Sequence, residues 1–120
     1  MREDFNAFFK ATERWHLTST ERRALLGVSS KKRWSRFLHD ADPELSPQEL
    51  ARVHAVRQID ESLAMRVSDP REVALWFRTR KAVAPFSGRT PLALLFRGMT
   101  GFKAVAEYLD ACQGAARNSK

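Results

Sequence analysis

A short basic run at residues 31–36, with the sequence Lys-Lys-Arg-Trp-Ser-Arg, carries side chains suited to recognising a nucleic acid. Lysine and arginine neutralise phosphates, and arginine can also donate to the edge of guanine. At helical spacing Trp34 and Phe37 fall on one side, where they can anchor the helix, and the polar side chains fall on the other. We predict that the polar side contacts DNA through Lys31, Lys32, Arg33, Ser35 and Arg36. The alternative is a solvated basic helix that only packs through its aromatic side chains.

The elements around this run have the order of a helix–turn–helix motif over residues 18–37. Thr18 and Glu21 have the spacing of a capping box, which starts a short helix. Gly27 suits the left-handed end of that helix. Residues 28–30 then form a tight turn before the basic helix, at about residues 31–39. This order is the one that lays a recognition helix in the major groove of DNA.

A second feature is the corner at residues 86–91, with the sequence Phe-Ser-Gly-Arg-Thr-Pro. Gly88 permits backbone angles that other residues avoid. Thr90 and Pro91 together start a helix sharply. From the residues alone, the pattern indicates a defined corner that exposes Arg89.

An aromatic stripe runs along the first helix, predicted over about residues 3–15, and it leaves two roles open. Its members could pack in the core, or they could form a seam between copies of the chain in a homo-oligomer, because so many aromatic side chains on one short helix exceed what a small core needs. The residues of the possible seam are Phe5, Phe8 and Phe9.

The sequence shows no catalytic apparatus. The histidines at positions 16, 39 and 54 lack metal-ligand spacing with Cys112, and no nucleophile triad, phosphate-binding glycine loop or zinc-protease motif occurs. We therefore predict no enzyme activity, no cofactor and no metal.

Composition sets the broad class of the protein. With 120 residues and 43% hydrophobic content, the chain can form one compact domain, or two very small ones that share a core. The net charge of +7 is concentrated at the two ends, around an acidic centre, and favours polyanions or acidic surfaces as partners. A single cysteine, the absence of a transmembrane run and an N-terminus unlike a signal peptide favour the cytoplasm.

Helix signals dominate and strand signals are poor, so we predict an all-α, compact helical protein. Ser46 and Pro47 start a long helix that we expect to reach Val67. Asp69 and Pro70 start the next helix, and a last one follows Thr100. The tail from residue 114 is expected to be loose. We place the N-terminal helix–turn–helix region with its connecting helix at residues 1–68, and a small C-terminal helical domain at residues 69–120.

The chain resembles the MbcA/ParS/Xre antitoxin family over roughly residues 15–112. The C-terminal half resembles the family's toxin-binding domain. The residues that carry this part are Asp69-Pro70 with Ala74-Leu75-Trp76-Phe77, Gly88-Arg89-Thr90-Pro91-Leu92 with Leu94-Leu95, and Gly101 with Val105, Tyr108 and Leu109. The N-terminal half resembles an Xre-type helix–turn–helix through Leu17-Thr18, Leu26-Gly27-Val28-Ser29, Trp34 and Phe37.

The resemblance implies a non-enzymatic antitoxin of a type II toxin–antitoxin system. Its partner would be a RES-domain toxin that consumes NAD or uses it for ADP-ribosylation, and the antitoxin would occlude the active site of that toxin. It would also bind operator DNA as a repressor, within an oligomeric complex. By position, the implied toxin contacts are Phe86, Gly88, Arg89, Thr90, Arg117, Asn118, Ser119 and Lys120.

Two other interpretations fit the same residues. A stand-alone helix–turn–helix regulator, with no toxin partner, would keep the C-terminal domain only for oligomerisation. A helical interaction protein would have no DNA role, and the absence of salt-dependent DNA binding would favour it.

Overall fold

The computed structural model describes the backbone of residues 2–39 and 44–118, and the side chains of residues 3–39 and 44–111. The all-α fold is confirmed over these residues, where the only β contact is an isolated antiparallel bridge between Lys81 and Arg89. Seven helices follow one another: α1 (Arg2–Arg14), α2 (Ser19–Leu26), α3 (Lys31–His39), α4 (Pro47–Ala64), α5 (Pro70–Arg78), α6 (Pro91–Leu95) and α7 (Met99–Asn118).

The helices begin where the sequence places their caps. Thr18 and Glu21 form a complete capping box at the start of α2, and Ser46 and Glu49 form another at the start of α4. Helices α4, α5 and α6 each have proline in their first turn. These starts follow from short-range hydrogen bonding, which is why the sequence predicts them.

Helix α4 is the centre of the fold and packs against both α1 and α7. Its buried apolar side chains are Val53, Val56, Ile59 and Leu63. A single hydrophobic cluster extends from Phe5 to Leu109 and includes residues from both predicted domains. The two halves of the chain therefore share one core, and their boundary near residue 68 stays a prediction.

The aromatic stripe of α1 lies largely inside this core. Phe5 is 2% exposed and Phe8 is fully buried, and the Phe5 ring lies 5.7 Å from that of Phe37 and 6.1 Å from that of Trp34. Phe5 and Phe8 thus take the core role, one of the two that the sequence left open, and a seam between copies stays a prediction. Phe9 is partly buried, with the Arg22 guanidinium 4.4 Å from its ring centroid.

Two helix ends differ from the sequence-based expectation. Helix α4 ends at Ala64 rather than Val67, and the N–H of Val67 turns back to the Leu63 carbonyl at 2.9 Å. Helix α7 continues to Asn118, past Gly114, where a loose tail was expected. The two alanines after Gly114 favour helix strongly enough to outweigh one glycine.

No helix in the part of the chain that the structure describes is long and apolar enough to cross a membrane.

Helices α6 and α7 approach each other unusually closely at Gly101. A Cβ atom at this position would lie 1.7 Å from the carbonyl oxygen of Leu94, which is far inside van der Waals contact. Only glycine fits, so this contact fixes α6, and the corner that precedes it, against the C-terminal helix.

Candidate functional site

Helix α3 presents the basic face that the sequence predicts. Trp34 and Phe37 are 7% and 3% exposed, and the Trp34 indole N–H donates to the Ser19 hydroxyl of α2 at 3.1 Å. The opposite side of the helix is exposed to solvent. We call this exposed set the α3 face, and it consists of Lys31, Lys32, Ser35 and Arg36. Its arrangement suits phosphate contacts, but DNA binding itself stays a prediction.

The turn before α3 has the geometry that its sequence favours. Gly27 is left-handed, with a φ of 81°, and its N–H donates to the carbonyls of Arg23 and Ala24. The Ser30 hydroxyl accepts from the Arg33 N–H at 3.2 Å and so satisfies one free donor at the start of α3. These contacts fix the path of the chain from α2 into α3.

Arg33 has a role that its place in the basic run did not reveal. Its Nε and Nη2 atoms donate to the two carboxylate oxygens of Glu49 in α4, at 3.0 and 2.5 Å. The guanidinium also lies 4.8 Å from the centroid of the Phe37 ring. Arg33 is therefore held against the protein by Glu49, unlike the residues of the α3 face.

Glu49 is a buried partner, since it is only 7% exposed. Burial raises the pKa of this carboxyl, but the hydrogen bonds from Arg33 and from the Ser46 N–H, at 2.7 Å, outweigh burial and leave the pKa below its ordinary value. The same pairing raises the pKa of Arg33. Both groups therefore stay charged, and the pair is a fixed contact between α3 and α4.

The loop at residues 79–90 leads into the corner, and backbone hydrogen bonds close it. The Lys81 N–H donates to the Arg89 carbonyl at 3.1 Å, and the Gly88 N–H donates to the Lys81 carbonyl at 2.7 Å. Ser87 and Gly88 are both left-handed, with φ values of 50° and 88°. This geometry holds Arg89 and Thr90 immediately before α6.

Phe86 connects the corner to the hydrophobic core. The side chain is fully buried, and its ring lies 4.9 Å from that of Tyr108 and 6.1 Å from that of Trp76, edge to face in both cases. Lys81 covers the Trp76 ring at 5.2 Å. Phe86 is therefore buried where a partner contact was predicted, and it supports the exposed residues of the corner; contact between Phe86 and a toxin stays a prediction.

The exposed side of the corner holds a shallow, open pocket of about 340 Å³, which we call the corner pocket. It is lined by Arg80, Gly88, Arg89, Thr90 and Ala93. The Thr90 hydroxyl caps α6 by accepting from the Ala93 N–H at 3.1 Å. Among the carboxylates that the structure describes, none pairs with Arg80 or Arg89. Sequence reasoning missed Arg80, because its proximity to residues 88–93 depends on the loop closing.

The other half of the implied contact set lies at the C-terminus. Arg117 and Asn118 belong to the backbone of α7, but their side chains lie outside the described residues, as do Ser119 and Lys120 entirely. Their part in binding stays a prediction.

A polar contact joins the N-terminal helices to α5. Arg78 donates to the Glu21 carboxylate at 2.8 and 3.3 Å and to the His16 carbonyl at 3.1 Å. The hydrogen bond from Arg78 lowers the pKa of Glu21. These contacts tie the start of α2 to the end of α5. Over the described side chains, no cluster of three His, Cys, Asp or Glu residues could hold a metal ion.

Two family models match the chain, and together they cover most of it. The model of the antitoxin Xre-like helix-turn-helix domain matches residues 4–54. The model of the antitoxin Xre/MbcA/ParS C-terminal toxin-binding domain matches residues 62–114. The α3 face lies within the first match and the corner pocket within the second. No curated protein and no solved structure matches the chain.

Proposed function

Because the chain belongs to the Xre/MbcA/ParS antitoxin family, we propose that it neutralises a RES-domain toxin by occluding the NAD-binding active site. We further propose that it represses its own operon through the α3 face. The proposal includes a cytoplasmic location, a homo-oligomeric antitoxin within the toxin complex, and no catalytic activity of its own.

The corner pocket carries the toxin-binding part of this proposal. It lies within the residues that match a toxin-binding domain, and it presents two arginines without a described carboxylate partner. Arginine is favoured at interfaces because its planar fork binds carboxylates in pairs of hydrogen bonds. The hydrogen-bonded backbone beneath it limits the entropy lost on binding. The acidic side chains of a toxin cleft are the partners that fit this pocket.

The α3 face supports the DNA-binding part. Lys31, Lys32 and Arg36 are exposed on the second helix of a helix–turn–helix, while Trp34 anchors its other side. Such a helix can reach both phosphates and base edges in the major groove.

Co-expression with the open reading frame beside this chain's gene, which the proposal takes to encode the toxin, tests the proposal. The tagged chain should co-purify with the RES-domain protein and restore growth to cells that express it. A chain that neither forms a complex nor restores growth contradicts the toxin-binding part. A stand-alone DNA-binding regulator is then the better interpretation, and a search for its operator follows.

A further inference from the structure

We infer that Arg33 and Glu49 form a clamp that positions the α3 face on DNA, so that a buried carboxylate promotes binding to a polyanion. The inference rests on the DNA-binding part of the proposed function. It assigns Arg33 to positioning rather than to phosphate contact, and it gives Glu49 a part in recognition although Glu49 lies on α4.

The first step concerns what holds α3. This helix has nine residues, which is too short for it to be stable without tertiary contacts. Trp34 and Phe37 bury its apolar side, but apolar contact is not directional and leaves rotation about the helix axis poorly defined. A two-point hydrogen-bonded pair between a guanidinium and a carboxylate is directional. The Trp34 N–H bond to Ser19 orients α3 against α2, and the Arg33–Glu49 pair orients it against α4.

The second step concerns the rigidity of the anchor. Glu49 is 7% exposed and stands in the first turn of α4, where Oε1 accepts from the Ser46 N–H at 2.7 Å as well as from Arg33 at 2.5 Å. A carboxylate fixed by its own capping box cannot swing to follow α3. Movement of α3 relative to α4 would break these bonds, so the clamp sets one position of the α3 face.

The third step compares two possible roles of Glu49, which predict opposite changes in DNA affinity when its charge is removed. If charge alone governed DNA binding, removal of the negative charge of Glu49 would strengthen binding, because the carboxylate repels phosphates. If the clamp governs the position of α3, the same removal weakens binding. The two roles thus predict opposite effects of Glu49→Gln, a change that leaves the size of the side chain almost unaltered.

The experiment measures binding of the full-length chain to a fluorescent duplex taken from directly upstream of its reading frame, over a range of salt concentrations. An unrelated duplex of equal length serves as the second probe. We expect Glu49→Gln and Arg33→Lys each to weaken binding to the upstream duplex by about tenfold, because a displaced helix loses its contacts with base edges. The double variant should bind the upstream duplex no more weakly than either single variant, since each substitution removes the same pair.

A phosphate contact provides the control. Lys32→Gln should reduce the slope of log affinity against log salt by about one, whereas Arg33→Lys should leave the slope unchanged. If Glu49→Gln unfolds at or below the temperature of the binding assay, the binding of Arg33→Lys, which preserves the charge, decides the test.

Each remaining outcome counts against the inference. Equal or tighter binding by Glu49→Gln overturns the clamp while leaving DNA binding intact, and so does wild-type affinity in Arg33→Lys. Failure of the wild-type chain to bind either duplex in a salt-dependent way instead overturns the DNA-binding proposal, and the clamp with it.

Discussion

The Trp15 indole stacks on the Phe77 ring, with centroids 4.1 Å apart and planes inclined by 27°. Trp15 follows α1, within the match to the helix–turn–helix domain, and Phe77 belongs to α5, within the match to the toxin-binding domain. Both side chains are fully buried, and the Trp15 N–H donates to Asp60 of α4 at 3.0 Å. One aromatic pair therefore joins the two matched domains through their shared core.

This contact predicts that the chain unfolds as one unit. Phe77→Ala should lower the free energy of unfolding by about 3–5 kcal/mol, the usual cost of removing a buried aromatic side chain. Denaturant titration followed by tryptophan fluorescence and by circular dichroism should give one coincident transition, shifted in the variant. Two separate transitions in the wild-type chain would mean that its halves fold independently.

The contact between α6 and α7 predicts a strong difference between two glycines. Gly101→Ala should cost several kcal/mol, because its Cβ would collide with the Leu94 carbonyl. Gly88→Ala meets no atom within 4 Å and should cost only about 1–2 kcal/mol, the strain of a left-handed alanine. Chemical denaturation of both variants measures the difference. Equal stability of the two would contradict the close approach at Gly101.

The Arg78–Glu21 pair predicts a pH dependence of stability. Because Arg78 lowers the pKa of Glu21 in the folded chain, the charged carboxylate stabilises the fold above the ordinary pKa of 4.5, and this contribution is lost as pH falls through the lowered value. Glu21→Gln removes the charge but keeps an oxygen for the capping box.

The variant should therefore be less stable than the wild-type chain at pH 7, by no more than about 1 kcal/mol since solvent screens the pair. The difference in stability should narrow as unfolding is measured at progressively lower pH below 4.5. A difference of the same size at every pH would show that charge pairing is not its source.

The corner pocket leads us to predict that Arg80 and Arg89 contribute to toxin binding. Arg80→Gln combined with Arg89→Gln should weaken the complex by about ten- to a hundredfold, as expected for arginines paired with carboxylates at an interface. Isothermal titration measures the affinity. Lys10→Gln combined with Lys103→Gln removes the same charge from two exposed positions on α1 and α7, and it should leave the affinity within about twofold. An equal loss of affinity in this control would show that net charge, and not the position of the two arginines, determines binding.

Local patterns predicted much of the fold, and long-range contacts account for most of what was missed. The capping boxes at Thr18 and Ser46 depend on residues three positions apart, so the sequence shows them directly. The Arg33–Glu49 pair joins residues sixteen positions apart across two helices, and no local pattern distinguishes it from a free surface arginine. Spacing alone also could not decide between core and seam for Phe5.

The same division applies to the candidate site. The motif at residues 86–91 predicts the corner, because glycine, threonine and proline each constrain the backbone locally. Burial of Phe86 depends on Trp76 and Tyr108, which come from two other helices. The inclusion of Arg80 depends on the bridge between Lys81 and Arg89. Tertiary contact thus decided which residues of the corner are exposed.

Inhibition of the toxin by the purified chain is the most direct measurement. The protein encoded beside this chain's gene, which we propose to be a RES-domain toxin, is assayed for NAD consumption while the chain is added in increasing amounts, with the Arg80→Gln and Arg89→Gln double variant in parallel. We predict that activity falls to background at a fixed stoichiometric ratio, and that the double variant requires a large excess. A toxin that binds the chain and still consumes NAD at its full rate would contradict occlusion of the active site.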